Sequence, residues 1–119
     1  MTLITSAQRQ KLLENGRAQR AAIDRQDQAI DFAPVVKLFT PDAQCTWLLT
    51  ELDPDDPDRA FGLDDLGQGH PELGYVRLRD IEGLRGQLGL IVERDLHFAP
   101  TRTLSAYAEL AWEHRRIIT

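Results

Sequence analysis

Val35-Val36-Lys37-Leu38-Phe39, then Thr40-Pro41-Asp42-Ala43, then Thr46-Trp47-Leu48-Leu49-Thr50-Glu51-Leu52 is the stretch on which the fold turns. Its opening run is rich in β-branched and aromatic residues, the types that fit a pleated, half-buried surface. Pro41 stands where a type I turn wants a fixed φ. The second run alternates, with Trp47, Leu49 and Glu51 on one strand face and Thr46, Leu48, Thr50 and Leu52 on the other. Two strands joined this closely must be antiparallel, because a parallel partner needs a long crossover.

Outward from this hairpin the pattern continues. Asp53-Pro54-Asp55-Asp56-Pro57-Asp58 is expected to interrupt the ladder, since neither proline can donate a hydrogen bond. Residues 60–66 read as a third strand, 73–78 as a fourth and 93–98 as a fifth, the last with Leu96 and Phe98 turned inward. Upstream, Thr5-Ser6-Ala7-Gln8 fits a capping box, in which the threonine hydroxyl accepts an orphan N–H and the glutamine reaches back. Asn15-Gly16 then suits a C-cap, so the segment to Arg25 reads as one kinked helix or two short ones. Residues 80–85 suggest a single helical turn. Residues 104–116 suggest a longer helix with Leu104, Tyr107, Ala108 and Ala111 on one face. Seven of the eight glycines fall between positions 62 and 89, a density that implies tight turns or close backbone packing. These elements predict an α+β fold: a mainly antiparallel sheet of four to five strands with N-terminal and C-terminal helices packed on one face.

The chain has 119 residues, 42% of them apolar and 28% charged, which suits a single globular domain over 1–119. The apolar run 88–92 is short and contains Gly89, so no membrane span is expected. The opening Met1-Thr2-Leu3-Ile4-Thr5 has neither a basic start nor a long apolar stretch, which leads to the expectation of a cytoplasmic protein without a secretory signal. Cys45 is the sole cysteine, which excludes an internal disulfide and a cysteine-based zinc cluster. The formal charge of −5 is unevenly spread: between positions 42 and 72 only Arg59 stands among nine acids. Such a block repels a phosphate backbone and argues against direct nucleic-acid binding.

Candidate chemistry concentrates in and beside that block. Residues 53–58 offer hard oxygen ligands, but Pro57 and Asp58 occupy the fifth and sixth places of a calcium loop, where an oxygen ligand and a glycine belong. Asp64, Asp65, His70 and Glu72 could converge on a divalent metal if the Gly67-Gln68-Gly69 turn folds them together. Glu51 and Asp53, two positions apart on a strand, could work as an acid–base pair if their environments separate their pKa values; otherwise they are solvated charges or partners of Arg77 or Arg94. Arg85-Gly86-Gln87-Leu88-Gly89-Leu90 followed by Glu93-Arg94-Asp95 could form a backbone nest for an anion, with Arg94 alternatively an internal ion-pair strut. Trp47 and Tyr75 join Arg85, Glu93, Arg94 and Asp95 as a candidate binding surface. No nucleophile elbow or phosphate loop occurs, and Cys45 has no nearby histidine in sequence. No cofactor and no metal is called for.

The run from Val35 to Asp42, then Thr46-Trp47-Leu48-Leu49-Thr50-Glu51-Leu52-Asp53-Pro54, resembles a bacterial domain-of-unknown-function family, number 2958. Pro71-Glu72-Leu73-Gly74-Tyr75, Arg85-Gly86-Gln87-Leu88-Gly89-Leu90, Glu93-Arg94-Asp95-Leu96-His97-Phe98, Leu12-Leu13-Glu14-Asn15-Gly16-Arg17 and Leu104-Ser105-Ala106-Tyr107-Ala108 are similar to it as well. The family often has proline where this chain has Ile91. The resemblance implies an accessory protein of plasmids and other mobile elements, and it carries over no catalytic residue. The expectation is therefore a non-catalytic module that binds another protein, a component of host defence or plasmid maintenance. The alternatives are a small metal-dependent hydrolase using Glu51, Asp53, Asp64, Asp65, His70 and Glu72, and an acidic mimic of DNA.

Overall fold

The computed structural model describes residues 3–119; Met1 and Thr2, which open the stretch read as lacking a secretory signal, lie outside them. The order is α1 (Ser6–Asp24), β1 (Val36–Phe39), β2 (Thr46–Asp53), β3 (Asp56–Asp65), β4 (Glu72–Arg77), α2 (Leu78–Gly83), β5 (Glu93–Arg94) and α3 (Leu104–His114). The strands form one antiparallel sheet in the order β4-β3-β2-β1-β5. The α+β class and the hairpin of β1 and β2 are as expected.

The helices differ from the expectation that they share one face. Leu48 and Leu49 are neighbours on β2 and so point to opposite sides of the sheet. Trp47 and Leu49 pack with Leu12 of α1 and with Leu78 and Ile81 of α2. Leu48 and Leu63 instead pack with Leu104, Tyr107, Ala108 and Ala111 of α3. β2 is apolar on both faces because both faces are covered. The expected stripe on α3 is thus buried, on the side of the sheet opposite α2.

α1 also departs from its reading, running unbroken through Asn15 and Gly16. Its start is the expected capping box, with Gln8 N donating to Thr5 Oγ1 at 3.0 Å and Thr5 N to Gln8 Oε1 at 2.9 Å. β1 pairs with β2 only as far as Leu49, so the next residues of β2 have a bare edge on that side. Asn15 Nδ2 covers part of it by donating to Thr50 O at 2.9 Å. At Gly16 an added Cβ would lie 1.8 Å from Leu52 O. The pair that looked like a helix end is therefore a helix contact.

Residues 53–58 break the regular register of the ladder, as expected, without ending it. β2 runs through Asp53 and β3 begins at Asp56, leaving Pro54-Asp55 as the turn. Pro57 is tolerated because the register jumps from Leu52↔Ala60 to Asp53↔Asp56, so positions 57–59 bulge where β2 has no partner residue. At the other side β5 is two residues long. Asp95 takes the N–H of His97 at 2.8 Å and turns the chain away, leaving Leu96 77% exposed instead of inward; Phe98 does pack, beside the α3 cluster.

Candidate functional site

β4 is an edge strand: β3 pairs with one side, and no strand among the described residues pairs with the other. Hollows open on both faces of the sheet beside it. On the Trp47 side, a hollow of about 450 Å³ is lined by Trp47, Asp64, Leu66, Val76, Ile81 and Leu84 together with Arg59, Tyr75, Arg77 and Asp80. Two glycines lie on the same face beside it. Gly62 and Gly74 are directly opposite each other on β3 and β4, and the space a Cβ would take at Gly74 is open. On the α3 side, a hollow of about 260 Å³ is lined by Ile23, Ile30, Glu51, Phe61, Leu73 and Tyr75 among others. Tyr75 belongs to both and is held in place, edge-to-face on Phe61 with ring centroids 5.0 Å apart and under the Arg59 guanidinium at 3.6 Å. Around the strand Leu66, Leu73, Tyr75 and Leu84 are exposed, and Trp112 is half exposed while its Nε1 donates to Pro71 O at 2.8 Å.

The acidic residues do not gather on this site as a set. Asp64 and Glu72 face each other across β3 and β4, and burial, then the charge of Glu72, pushes the Asp64 carboxyl above the usual aspartate range. Asp65 lies on the opposite face, buried, accepting from Gly67 N at 2.9 Å and Ile117 N at 3.0 Å, so it clasps the C-terminal segment to the sheet. His70 is exposed in the connection before β4. Glu51, which also lines the α3-side hollow, shares with Asp53 an adjoining small hollow of about 110 Å³ beside α1. Burial raises the Glu51 carboxyl, while Gln19 Nε2 and Thr50 Oγ1 donate to it at 3.4 Å each. Asp53 is lowered, first by the Asp55 N–H at 2.9 Å and also by Arg59 and Arg20, each at 3.3 Å. Those arginines take the place expected for Arg77 or Arg94. Among the described residues no group of three or more His, Cys, Asp or Glu side chains is arranged to hold a metal ion.

At the hairpin tip the aspartates meet the protein's own cations. Arg20 pairs with Asp53 and Asp55, Arg59 with Asp53, Arg77 with Asp56 and Asp58, and Arg79 with Asp58. The block between 42 and 72 is less negative towards solvent than its count of acids implies.

The remaining candidates lie on or beyond the other edge strand. The backbone nest exists, and its anion is internal: Asp42 Oδ2 accepts from Leu88 N at 2.6 Å and Leu90 N at 3.2 Å, against a Gly86 whose missing side chain leaves room for the carboxylate. Arg85 donates to Glu82 O and Leu84 O, and Arg94 Nη1 donates to Leu3 O at 3.1 Å. Glu93 is exposed beside Phe39, and Asp95 sits 3.6 Å from Lys37 Nζ. The sheet therefore puts Tyr75 at one edge and Glu93 and Arg94 at the other, with Trp47 on the central strand, in register with Leu38 and through it with Arg94. It also brings in Leu66, Val76, Ile81, Leu84, Leu73 and Phe61, which sequence reading passed over. Their signal was present in the two strand glycines, since glycine inside a strand often marks a close approach or an open groove.

The residues quoted for the resemblance, from Leu12 to Ala108, build both faces of this sheet. The chain matches the profile described as "Protein of unknown function (DUF2958)" over residues 3–118. It belongs to the DUF2958 family. No curated protein and no solved structure matches it. Within the DUF2958 chain a more polar hollow of about 490 Å³ lies between Gln44, Thr46, Asp65 and residues 115–117, whereas the β4 edge sets unpaired strand backbone between two hollows lined largely by apolar side chains. No helix of the described residues is long and apolar enough to cross a membrane.

Proposed function

We propose that this DUF2958 protein is a binding module that accepts an extended segment of another protein as an added strand on β4. The observation that carries the reading is the position of β4 as an edge strand with a hollow on each face of the sheet. An added strand gains main-chain hydrogen bonds along its length, and its alternate side chains enter pockets on opposite faces, which supplies selectivity. Exposed Leu73 and Tyr75 give the edge an apolar character that edge strands otherwise avoid. The mobile-element context implied by the family resemblance directs the search for the partner to host defence and plasmid-maintenance proteins.

A second reading has one observation in its favour. Glu51 and Asp53 share a hollow, and their carboxyls are shifted in opposite directions, as an acid–base pair requires. The hollow of about 110 Å³ falls well below the roughly 300 Å³ at which ligand pockets begin, and Asp53 is engaged by two arginines and a backbone N–H. The arginine pairing at the hairpin tip likewise supports protein binding over mimicry of DNA, which needs an uninterrupted strip of negative charge.

Selection of random peptides displayed on phage against the immobilised protein, with amide chemical-shift mapping of the enriched peptides, tests the proposal. Resonances of residues 72–77 are expected to move most. Enrichment of no peptide, or shifts confined to the β5 edge and the 85–91 loop, would overturn it.

A further inference from the structure

We infer that the segment docking on β4 carries a lysine or arginine whose side chain enters the Trp47 hollow and pairs with Asp64 and Glu72. The inference rests on the edge-strand reading above and adds the chemistry of the guest. Asp64 and Glu72 are directly opposite on neighbouring strands, where like charges oppose pairing. The hairpin-tip aspartates have arginine partners; among the described residues, no lysine or arginine forms an ion pair with Asp64 or Glu72. Arg59 and Arg77 also line the hollow, but they are engaged by Asp53 and by Asp56 and Asp58, so Asp64 and Glu72 keep no basic partner at the mouth of a hollow walled by Trp47, Val76, Ile81 and Leu84.

That combination suits a long basic side chain, which lays its methylene stem on apolar surface and keeps its charged head with the carboxylates. Gly74 presents no side chain to block the stem, and nothing lies within 4 Å of the Cβ it lacks. Strand geometry adds a condition on the guest. Its basic residue projects to the Trp47 side, so the next residue projects to the other side, over Leu73 and Tyr75, where an apolar side chain fits. The expected motif alternates basic and apolar residues.

The test uses the wild-type chain and three synthetic peptides that alternate valine with lysine, with glutamine or with glutamate. Affinity is read by fluorescence anisotropy and placement by amide chemical shifts. The lysine peptide is expected to bind at residues 72–77 about tenfold more tightly than the glutamate peptide, with glutamine between them. Asp64→Asn should remove most of that preference, and Gly74→Val should block the lysine peptide while leaving the thermal melt cooperative. Equal binding of all three at β4 overturns the basic-side-chain inference and leaves edge pairing standing. Failure of all three to bind overturns both. Preference for lysine that survives Asp64→Asn and Glu72→Gln places the charge recognition elsewhere and also overturns the inference, as does assembly of the chain with itself through β4 that excludes the peptides.

Discussion

The two ends of β3 carry acids in different circumstances. At the hairpin end, Asp53, Asp55, Asp56 and Asp58 meet Arg20, Arg59, Arg77 and Arg79. At the other end, Asp64 and Glu72 face each other beside an apolar hollow. A run of acids in sequence thus splits into one part paired by arginines and one part, Asp64 and Glu72, that no lysine or arginine among the described residues pairs with. The number of carboxylates does not decide the local charge; the reach of neighbouring arginines does.

The largest expected effect separates the two glycines beside the hollow. A Cβ at Gly62 would lie 2.0 Å from Leu48 O, so Gly62→Ala must move strand backbones and should cost about 3 kcal/mol or more in urea unfolding. Gly74→Ala meets nothing and should stay within about 0.5 kcal/mol. Comparable losses in both would mean that the hollow is not open at β4, and the contrast between the ends would collapse.

Next is the seat of the hairpin end on α1. Asn15→Ala leaves Thr50 O without its side-chain donor in a buried place, and a loss of about 1–3 kcal/mol is expected from the same measurement. A neutral substitution would show that α1 does not secure this end of β2.

Smaller still is the pH response, which should run in opposite directions at Glu51 and Asp53. The native state holds the Glu51 proton more tightly than the unfolded chain does, so this residue favours folding below the ordinary glutamate range and loses that contribution as pH rises through its native pKa. Asp53 is lowered, so its contribution is present above the ordinary aspartate range and is lost as pH falls through its native pKa. Glu51→Gln should therefore raise the melting temperature slightly at neutral pH, a gain that disappears below about pH 4. Carboxyl-carbon titration by NMR that finds both groups shifted the same way would contradict the separation.

The smallest effect belongs to salt. Raising ionic strength should weaken the exposed hairpin-tip pairs only marginally, whereas binding of the lysine peptide at Asp64 and Glu72 should fall clearly. Equal salt sensitivity of unfolding and of peptide binding would erase the distinction between the two ends.

Part of the sheet was legible because alternation over residues 46–49 and the helix stripe from Leu104 to Ala111 are local patterns with local causes. Past Leu49 a bulge against β3 puts Leu52 on the Trp47 side and Glu51 opposite Phe61, the reverse of the expected faces. The readings that failed involve contacts from distant parts of the chain. Asn15-Gly16 carries the residues of a helix end, and only the bare edge of β2 explains why the helix passes through them. Pro57 has no donor, and only a register jump against β2 explains its place inside a strand. Leu96 has a strand-like neighbourhood, yet the Asp95 side chain turns the backbone before it can be buried. The site was half legible: Asp64, Glu72, Trp47 and Tyr75 could be singled out by type, whereas Leu66, Val76 and Leu84 belong to it only through the fold.

By itself the sequence determined the class of fold, the hairpin, the capped first helix, the buried stripe of the last helix and the family. These depend on periodicity and on the chemistry of neighbouring residues, which short stretches contain in full. The tertiary structure decided which faces the helices cover, which aspartates acquire arginines and where a glycine leaves space. Those outcomes depend on partners far apart along the chain, such as Arg20 with Asp53 and Asp65 with Ile117, whose meeting is fixed by strand register and sheet order.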